Sequence, residues 1–153
     1  MKPKIIKTSD GSHSLYLEEL DENYHSVHGA MNEALHVFIK NGLEFIAQNK
    51  SEISIFEMGF GTGLNALVTQ EYALKNNLEI RYTAIEKHPL GWDLCSDLNY
   101  VKNIKTSNLN LFYESIHLSV WNSEKEIDKT FFLNKIKGEI ESVNFNEKYD
   151  LIY

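Results

Sequence analysis

The sequence holds a single cysteine, Cys95, and only two prolines among its 153 residues. One cysteine cannot form an internal disulfide, so the fold has no covalent staple and a reducing, cytoplasmic compartment is the expectation. With so few prolines and only eight glycines, long low-complexity or disordered stretches are excluded. No apolar run approaches the ~18 residues of a membrane span, so no membrane partner is expected. The basic start Met1-Lys2-Pro3-Lys4 is not followed by an apolar segment, and no signal peptide is read there. Positive charge is also scarce: 15 Lys and Arg stand against 22 Asp and Glu, a net charge of −7. That balance weighs against a large nucleic-acid surface while leaving room for a local basic patch.

What is present suits one globular domain: 42% hydrophobic residues, with eight Tyr, eight Phe and two Trp for a core. Residues 4–18 read as a β-hairpin turning at Asp10-Gly11. Ala30, Ala34, Val37 and Phe38 share a helical face, and Asn41-Gly42 reads as its stop. A second short helix is expected around Leu43, Phe45 and Ile46. Ile53-Ser54-Ile55-Phe56 is a strand, 64–76 a helix, and 80–85 a second strand. Pro89 suits the first turn of a helix running to about Tyr100. A helix over 109–120, a third strand over 130–136 and a fourth from Tyr149 to Tyr153 follow. The acidic stretch Glu124, Glu126, Asp128 reads as a solvated connection. Trp92, Trp121 and Phe131-Phe132 read as core or half-buried rings. Strands alternating with helices predict an α/β fold with an open, Rossmann-like parallel sheet. Its ligands bind beyond the carboxyl ends of the strands.

At that edge lies Glu57-Met58-Gly59-Phe60-Gly61-Thr62-Gly63-Leu64-Asn65. Glycines at 59, 61 and 63 allow unusual φ angles and close approach of a ligand. The dinucleotide fingerprint G-x-G-x-x-G does not fit, because the third glycine comes one residue early. Glu57 would repel a diphosphate and attract an ammonium or sulfonium, which favours S-adenosylmethionine over NAD or FAD. Glu86 ends the second strand, where a carboxylate can accept both ribose hydroxyls. Glu139, after the third strand, is the candidate for the adenine amino group. His25, His28 and His36 near Glu33 lack supporting cysteines, and no metal is expected.

Glu57 to Leu67, together with Ala84-Ile85-Glu86-Lys87-His88-Pro89-Leu90, resembles the methyltransferase part of the tRNA wobble-uridine enzymes, MnmC and the stand-alone MnmD. The upstream residues Tyr24-His25-Ser26, Gly29-Ala30, Glu33-Ala34 and His36-Val37-Phe38-Ile39 are similar to the same family, as is Asp10-Gly11-Ser12-His13. The resemblance implies a class I methyltransferase fold. It implies transfer of methyl from S-adenosylmethionine to the aminomethyl group of the tRNA wobble uridine, giving 5-methylaminomethyl-2-thiouridine. The cofactor-binding residues it implies are Glu57, Gly59, Phe60, Gly61, Thr62, Gly63, Asn65, Glu86, Lys87 and Glu139. Tyr24 and Ser26 are expected to fold over the cofactor near the substrate entrance. Residues 1–50 are expected to form a substrate-side hairpin and helix. Residues 51–153 are expected to be the first part of the cofactor domain, cut off after its fourth strand.

In the family the fourth strand leads into a motif resembling Phe-Asp-Ala-Phe-x-Pro, whose Asp is the catalytic residue. Here that Asp is expected just beyond Tyr153, so no catalytic residue is expected in the chain. A fragment or a truncated product follows from that reading, poorly active alone, with an exposed strand edge open to homodimerisation. A fused or separate FAD-dependent oxidase is the partner expected from the bifunctional relatives. The competing readings are a class I methyltransferase of a small molecule or protein, and a non-catalytic S-adenosylmethionine-binding module.

Overall fold

The computed structural model describes residues 3–144 and 147–153; Met1 and Lys2, the start of the basic N-terminus, lie outside them. Two sheets organise the chain: a three-stranded antiparallel sheet, β1-β2-β3, and a five-stranded sheet in the order β6-β7-β5-β4-β8. The first contains β1 (Lys4–Lys7), β2 (His13–Leu17) and the two-residue β3 (Glu22–Asn23). The predicted hairpin is therefore present and gains a third strand.

The hairpin turn caps the following helix from a distance. Thr8 and Ser12 hydroxyls accept the amides of Ala30 (3.3 Å) and Met31 (3.1 Å), and Asp10 Oδ2 accepts that of Asn32 (2.9 Å). Three orphan donors of a helix start are thus satisfied by side chains from one loop. The Asp10 carboxyl is lowered to about 2: burial would raise it, but hydrogen bonds from Ser12, Asn32 and Thr8 outweigh that.

Helix α1 (Ala30–Glu33) runs without a break into a π-helical stretch, Ala34–Leu43, and then α2 (Glu44–Ala47). The Glu44 amide donates to the Ile39 carbonyl, five residues back, as wider π winding requires. Asn41-Gly42 therefore does not stop the helix as predicted. Winding one residue wider also turns the face. Ile39 and Leu43 are buried, while Val37, assigned to the core by a 3.6-residue period, is 48% exposed.

In the larger sheet, β4 (Glu52–Met58) pairs in parallel with β5 (Glu79–Glu86) and β8 (Leu151–Ile152), and β5 pairs in parallel with β7 (Phe131–Lys137). These are the four predicted strands. The fifth, β6 (Glu124–Asp128), corrects the expectation of a solvated connection: it pairs antiparallel with β7 and forms an edge. Its acidic side chains suit an edge strand that must not recruit another chain.

α3 (Leu64–Asn76) matches the predicted helix, and α5 (Leu109–Leu118) ends slightly before the predicted boundary. The helix predicted after Pro89 shrinks to α4 (Trp92–Cys95) followed by turns. One contiguous core joins Leu15 of the hairpin, Leu43, Ile55 of β4, Tyr82 of β5 and Phe131 of β7. Trp92 and Trp121 pack half-buried against it, in line with the sequence reading. Among the described residues no helix is long and apolar enough to cross a membrane.

Candidate functional site

β4 delivers the chain to the carboxyl edge of the sheet, and the glycine turn follows. Gly59, Gly61 and Gly63 all take positive φ (94°, 49° and 71°), a region that side-chain-bearing residues avoid. Amides of Gly59 and Phe60 donate to the Ile85 carbonyl at 2.9 and 3.2 Å, fastening the turn to the end of β5. The Gly61 amide donates to Glu86 Oε2 at 3.0 Å, and Glu86 Oε1 accepts the His88 amide at 2.7 Å. Glu86 thus first ties two loops together, and each of its oxygens keeps a further lone pair for a ligand.

The three glycines do different work. A Cβ on Gly59 would meet nothing within 4 Å, so its backbone lies open to the cavity. One on Gly61 would stand 3.2 Å from the Tyr24 ring, which lies across the turn. One on Gly63 would come within 2.9 Å of His117 Nε2, so this glycine serves helix packing.

Two clefts meet at Met58 and Gly59. The first, about 370 Å³, is lined by Ile85, Glu86, Lys87, Glu139 and Glu141 among others. The second, about 260 Å³, runs under the turn between Tyr24, His25, Glu33, Glu57, Asn65 and Tyr153. Lys87 and Glu139 form an exposed ion pair at 2.5 Å.

Glu57 is 2% exposed. Its Oε1 accepts the Asn65 amide at 2.9 Å, while Oε2, Asn65 Oδ1 and the nearby Tyr82 hydroxyl have no hydrogen-bond partner. Burial pushes the Glu57 carboxyl up to about 8, and the proximity of Glu86 adds to the rise; the Asn65 hydrogen bond opposes it, as does the Tyr82 hydroxyl, which is close but outside hydrogen-bond geometry. The sequence reading had treated this group as a fixed negative charge. In the protein alone, burial keeps it largely protonated at neutral pH.

Thr62 is the hub of a buried network. Its hydroxyl meets His25 Nε2 at 2.8 Å and accepts the Tyr100 hydroxyl at 3.3 Å; its carbonyl accepts Tyr113 at 2.8 Å and contacts His117 at 3.1 Å. His25 lies 3.9 Å from Glu33, and burial lowers its pKa although Glu33 pulls the other way. Phe60 is buried against His117 and Trp121. Lys135, on β7, is also buried; its ammonium donates to the His117 carbonyl at 3.0 Å and lies 4.6 Å from the Trp121 ring centre. Burial lowers it to about 8.

Ten of the twelve residues singled out from the sequence line the two clefts; nine of them are Glu57, Gly59, Phe60, Gly61, Thr62, Asn65, Glu86, Lys87 and Glu139. Tyr24 joins them. Gly63 packs behind the turn, and the Ser26 backbone is held by Glu33, its amide donating at 2.9 Å. The sequence reading missed Glu33, Phe38 and Tyr153 as lining residues. Tyr153 could have been found only from the pairing of β8 with β4, since its amide donates to the Phe56 carbonyl at 2.8 Å.

No family model matches the sequence. The chain is 34% identical over 87 residues to the tRNA 5-methylaminomethyl-2-thiouridine biosynthesis bifunctional protein MnmC of Legionella pneumophila (strain Lens), covering 51% of this chain and 13% of that protein. The protein of the same name from Leptospira interrogans is 40% identical over 80 residues, covering 48% and 12%. That of Cupriavidus metallidurans is 36% identical over 88 residues, covering 55% and 13%. In three dimensions the chain resembles MNMC2 from Aquifex aeolicus, with a TM-score of 0.73 and 26% identity over 97% of this chain and 47% of that one. The chain therefore spans a small part of the curated relatives and about half of the solved one. In sequence over about half its length, and in fold over nearly all of it, the chain is similar to part of the MnmC proteins.

Proposed function

We propose that the chain binds S-adenosylmethionine at the glycine turn and contributes to methylation of the aminomethyl group on the wobble uridine of tRNA. The observation that carries this reading is the orphaned, buried Oε2 of Glu57 in a cleft that adjoins a second, acid-lined one at Gly59. A buried carboxylate with a free acceptor fits a cationic amino group, and the bare backbone of Gly59 gives a ligand room. A diphosphate finds no such match among Glu57, Glu86 and Glu139.

On this reading S-adenosylmethionine supplies an electrophilic methyl group. Glu57 would hold the ammonium as a carboxylate, its proton released to solvent, with Asn65 steadying its other oxygen. Glu86, assisted by Lys87, offers its remaining lone pairs to the ribose hydroxyls. Glu139 exchanges part of its contact with Lys87 for the adenine amino group. Phe60, Thr62 and Gly63 keep the turn in shape from behind. Tyr24, with Ser26 upstream of helix α1, covers the turn on the substrate side. Close alignment of amine nitrogen and methyl carbon supplies much of the rate gain. Residues 1–50 act as the substrate-side extension and 51–153 carry the cofactor site, working in the cytoplasm.

The net charge of −7 favours a second reading, a methyltransferase acting on a small molecule or protein. Calorimetric titration with S-adenosylmethionine tests the cofactor site; absence of binding at high micromolar cofactor overturns it. Methyl transfer to tRNA bearing 5-aminomethyl-2-thiouridine, against the same tRNA without the aminomethyl group, separates the two substrate readings.

A further inference from the structure

A third depression, about 430 Å³, lies between the N-terminal sheet and the loop after β5. Leu17, Leu20 and Pro89 give it apolar surface, and Lys87, His88 and Lys137 give it basic groups. None of its lining residues is acidic, although acidic side chains outnumber lysine and arginine 22 to 15 in the whole chain. Leu20 is 53% exposed.

The groove is continuous with the candidate site through two shared side chains. Tyr24 lines both the groove and the cleft under the glycine turn; Lys87 lines both the groove and the cleft of Glu86. A ligand in the groove therefore lies one side chain away from the turn.

We infer that this groove receives the RNA strand beside the target nucleoside. The inference rests on the proposed tRNA reading and adds to it the surface that holds the substrate. A single strand offers phosphates to cations and the faces of its bases to apolar and aromatic side chains. The groove has both kinds of surface side by side. Lys87 is paired with Glu139, but an exposed pair of this kind is weak and yields readily to a phosphate. An acidic protein segment would use the lysines and leave Leu17, Leu20 and Tyr24 without matching partners.

The test is fluorescence anisotropy with a labelled anticodon-arm RNA over a salt series, using protein saturated with S-adenosylhomocysteine. Lys137→Glu is expected to weaken binding about tenfold and to flatten the slope of log affinity against log salt by about 0.7 or more. Lys137→Arg is expected to keep wild-type affinity. Leu20→Asp, which alters the apolar wall, is expected to weaken RNA as well. Lys105→Glu, an exposed lysine outside the groove, is expected to have a smaller effect than Lys137→Glu. Calorimetry is expected to give unchanged cofactor affinity for Lys137→Glu, showing an intact fold. Wild-type RNA affinity in both Lys137→Glu and Leu20→Asp overturns the groove while leaving the tRNA reading intact. Competition by a polyglutamate peptide as strong as that by unlabelled RNA also overturns it. A wild-type protein that binds the cofactor and no RNA removes the tRNA reading and the groove together.

Discussion

Glu57 and Asn65 are joined by a buried hydrogen bond of 2.9 Å that leaves the second carboxylate oxygen of Glu57 unpartnered in the wall of a cleft. The bond links the end of β4 to the first turn of α3 and bridges the glycine turn between them. It also fixes a carboxyl group in a place where its charge is costly unless a cation arrives.

Substitution of Glu57 by Gln removes that titration. The wild-type carboxyl moves from 4.5 to about 8 on folding. The folded state therefore holds its proton more tightly, and the wild type loses stability as pH rises from about 4.5 through about 8. Glu57→Gln is expected to gain in melting temperature relative to wild type across that window, by about 2–4 °C for each kcal/mol. Parallel melting curves against pH would contradict the assignment. S-Adenosylmethionine affinity is expected to rise with pH in the wild type and to be weaker and flat in Glu57→Gln.

Gly59→Ala and Gly63→Ala separate binding from folding. Both residues have positive φ, so each alanine introduces backbone strain of about 1–2 kcal/mol. At Gly63 the new methyl also meets His117 Nε2 at 2.9 Å, and chemical denaturation is expected to show the larger loss there. At Gly59 nothing obstructs the methyl, and it enters the space offered to the ligand. Calorimetry on Gly59→Ala is expected to show a weakened cofactor with a comparatively small loss of stability. The reverse ranking would mean the roles of the two glycines have been exchanged.

Glu86 holds the Gly61 and His88 amides, so its removal acts on the protein as well as on the ligand. Glu86→Ala is expected to lower S-adenosylmethionine affinity about 10–150-fold, as loss of one charge-assisted hydrogen bond of about 1.5–3 kcal/mol requires. Hydrogen exchange at the Gly61 amide is expected to accelerate in the same variant, and Glu86→Gln to fall between it and wild type. Unchanged exchange at Gly61 would show that Glu86 does not pin the turn.

Asp10 caps α1 across the hairpin, with its carboxyl lowered from 3.8 to about 2. Its contribution is therefore complete above about 3.8 and is lost as pH falls through about 2. Asp10→Ala is expected to cost about 1–2 kcal/mol at neutral pH, as loss of a helix cap does. In urea titrations the gap from wild type is expected to close between pH 4 and pH 2. A gap independent of pH would refute the capping role.

Much of the fold was legible because it rests on local pattern. The strand containing Ile53 and Ile55 and the helix from Leu64 are set by side-chain periodicity and punctuated by glycine and asparagine. The π-helical stretch was not legible. Ala34 faces the core as its period requires, but Ile39 and Leu43 join it in place of Val37 because the winding is wider than the 3.6-residue rule allows. Gly42, read as a stop, instead lets the helix approach β8, with a Cβ there falling 3.4 Å from Leu151. Strand β6 was hidden for the opposite reason. Its alternation is blurred by Glu124, Lys125 and Glu126, and pairing with β7 decides its conformation.

By itself the sequence determined the alternation of strands and helices, the positive-φ turn at Gly59, Gly61 and Gly63, and the acids at Glu57, Glu86 and Glu139. These depend on the conformational limits of single residues and on short-range periodicity. Tertiary structure alone decided that Glu57 is buried, with its carboxyl pushed up to about 8, that Glu86 ties the turn before any ligand arrives, and that Gly63 faces a helix. Proton affinity and packing depend on atoms distant along the chain, which come together only when β4, β5 and α5 are assembled.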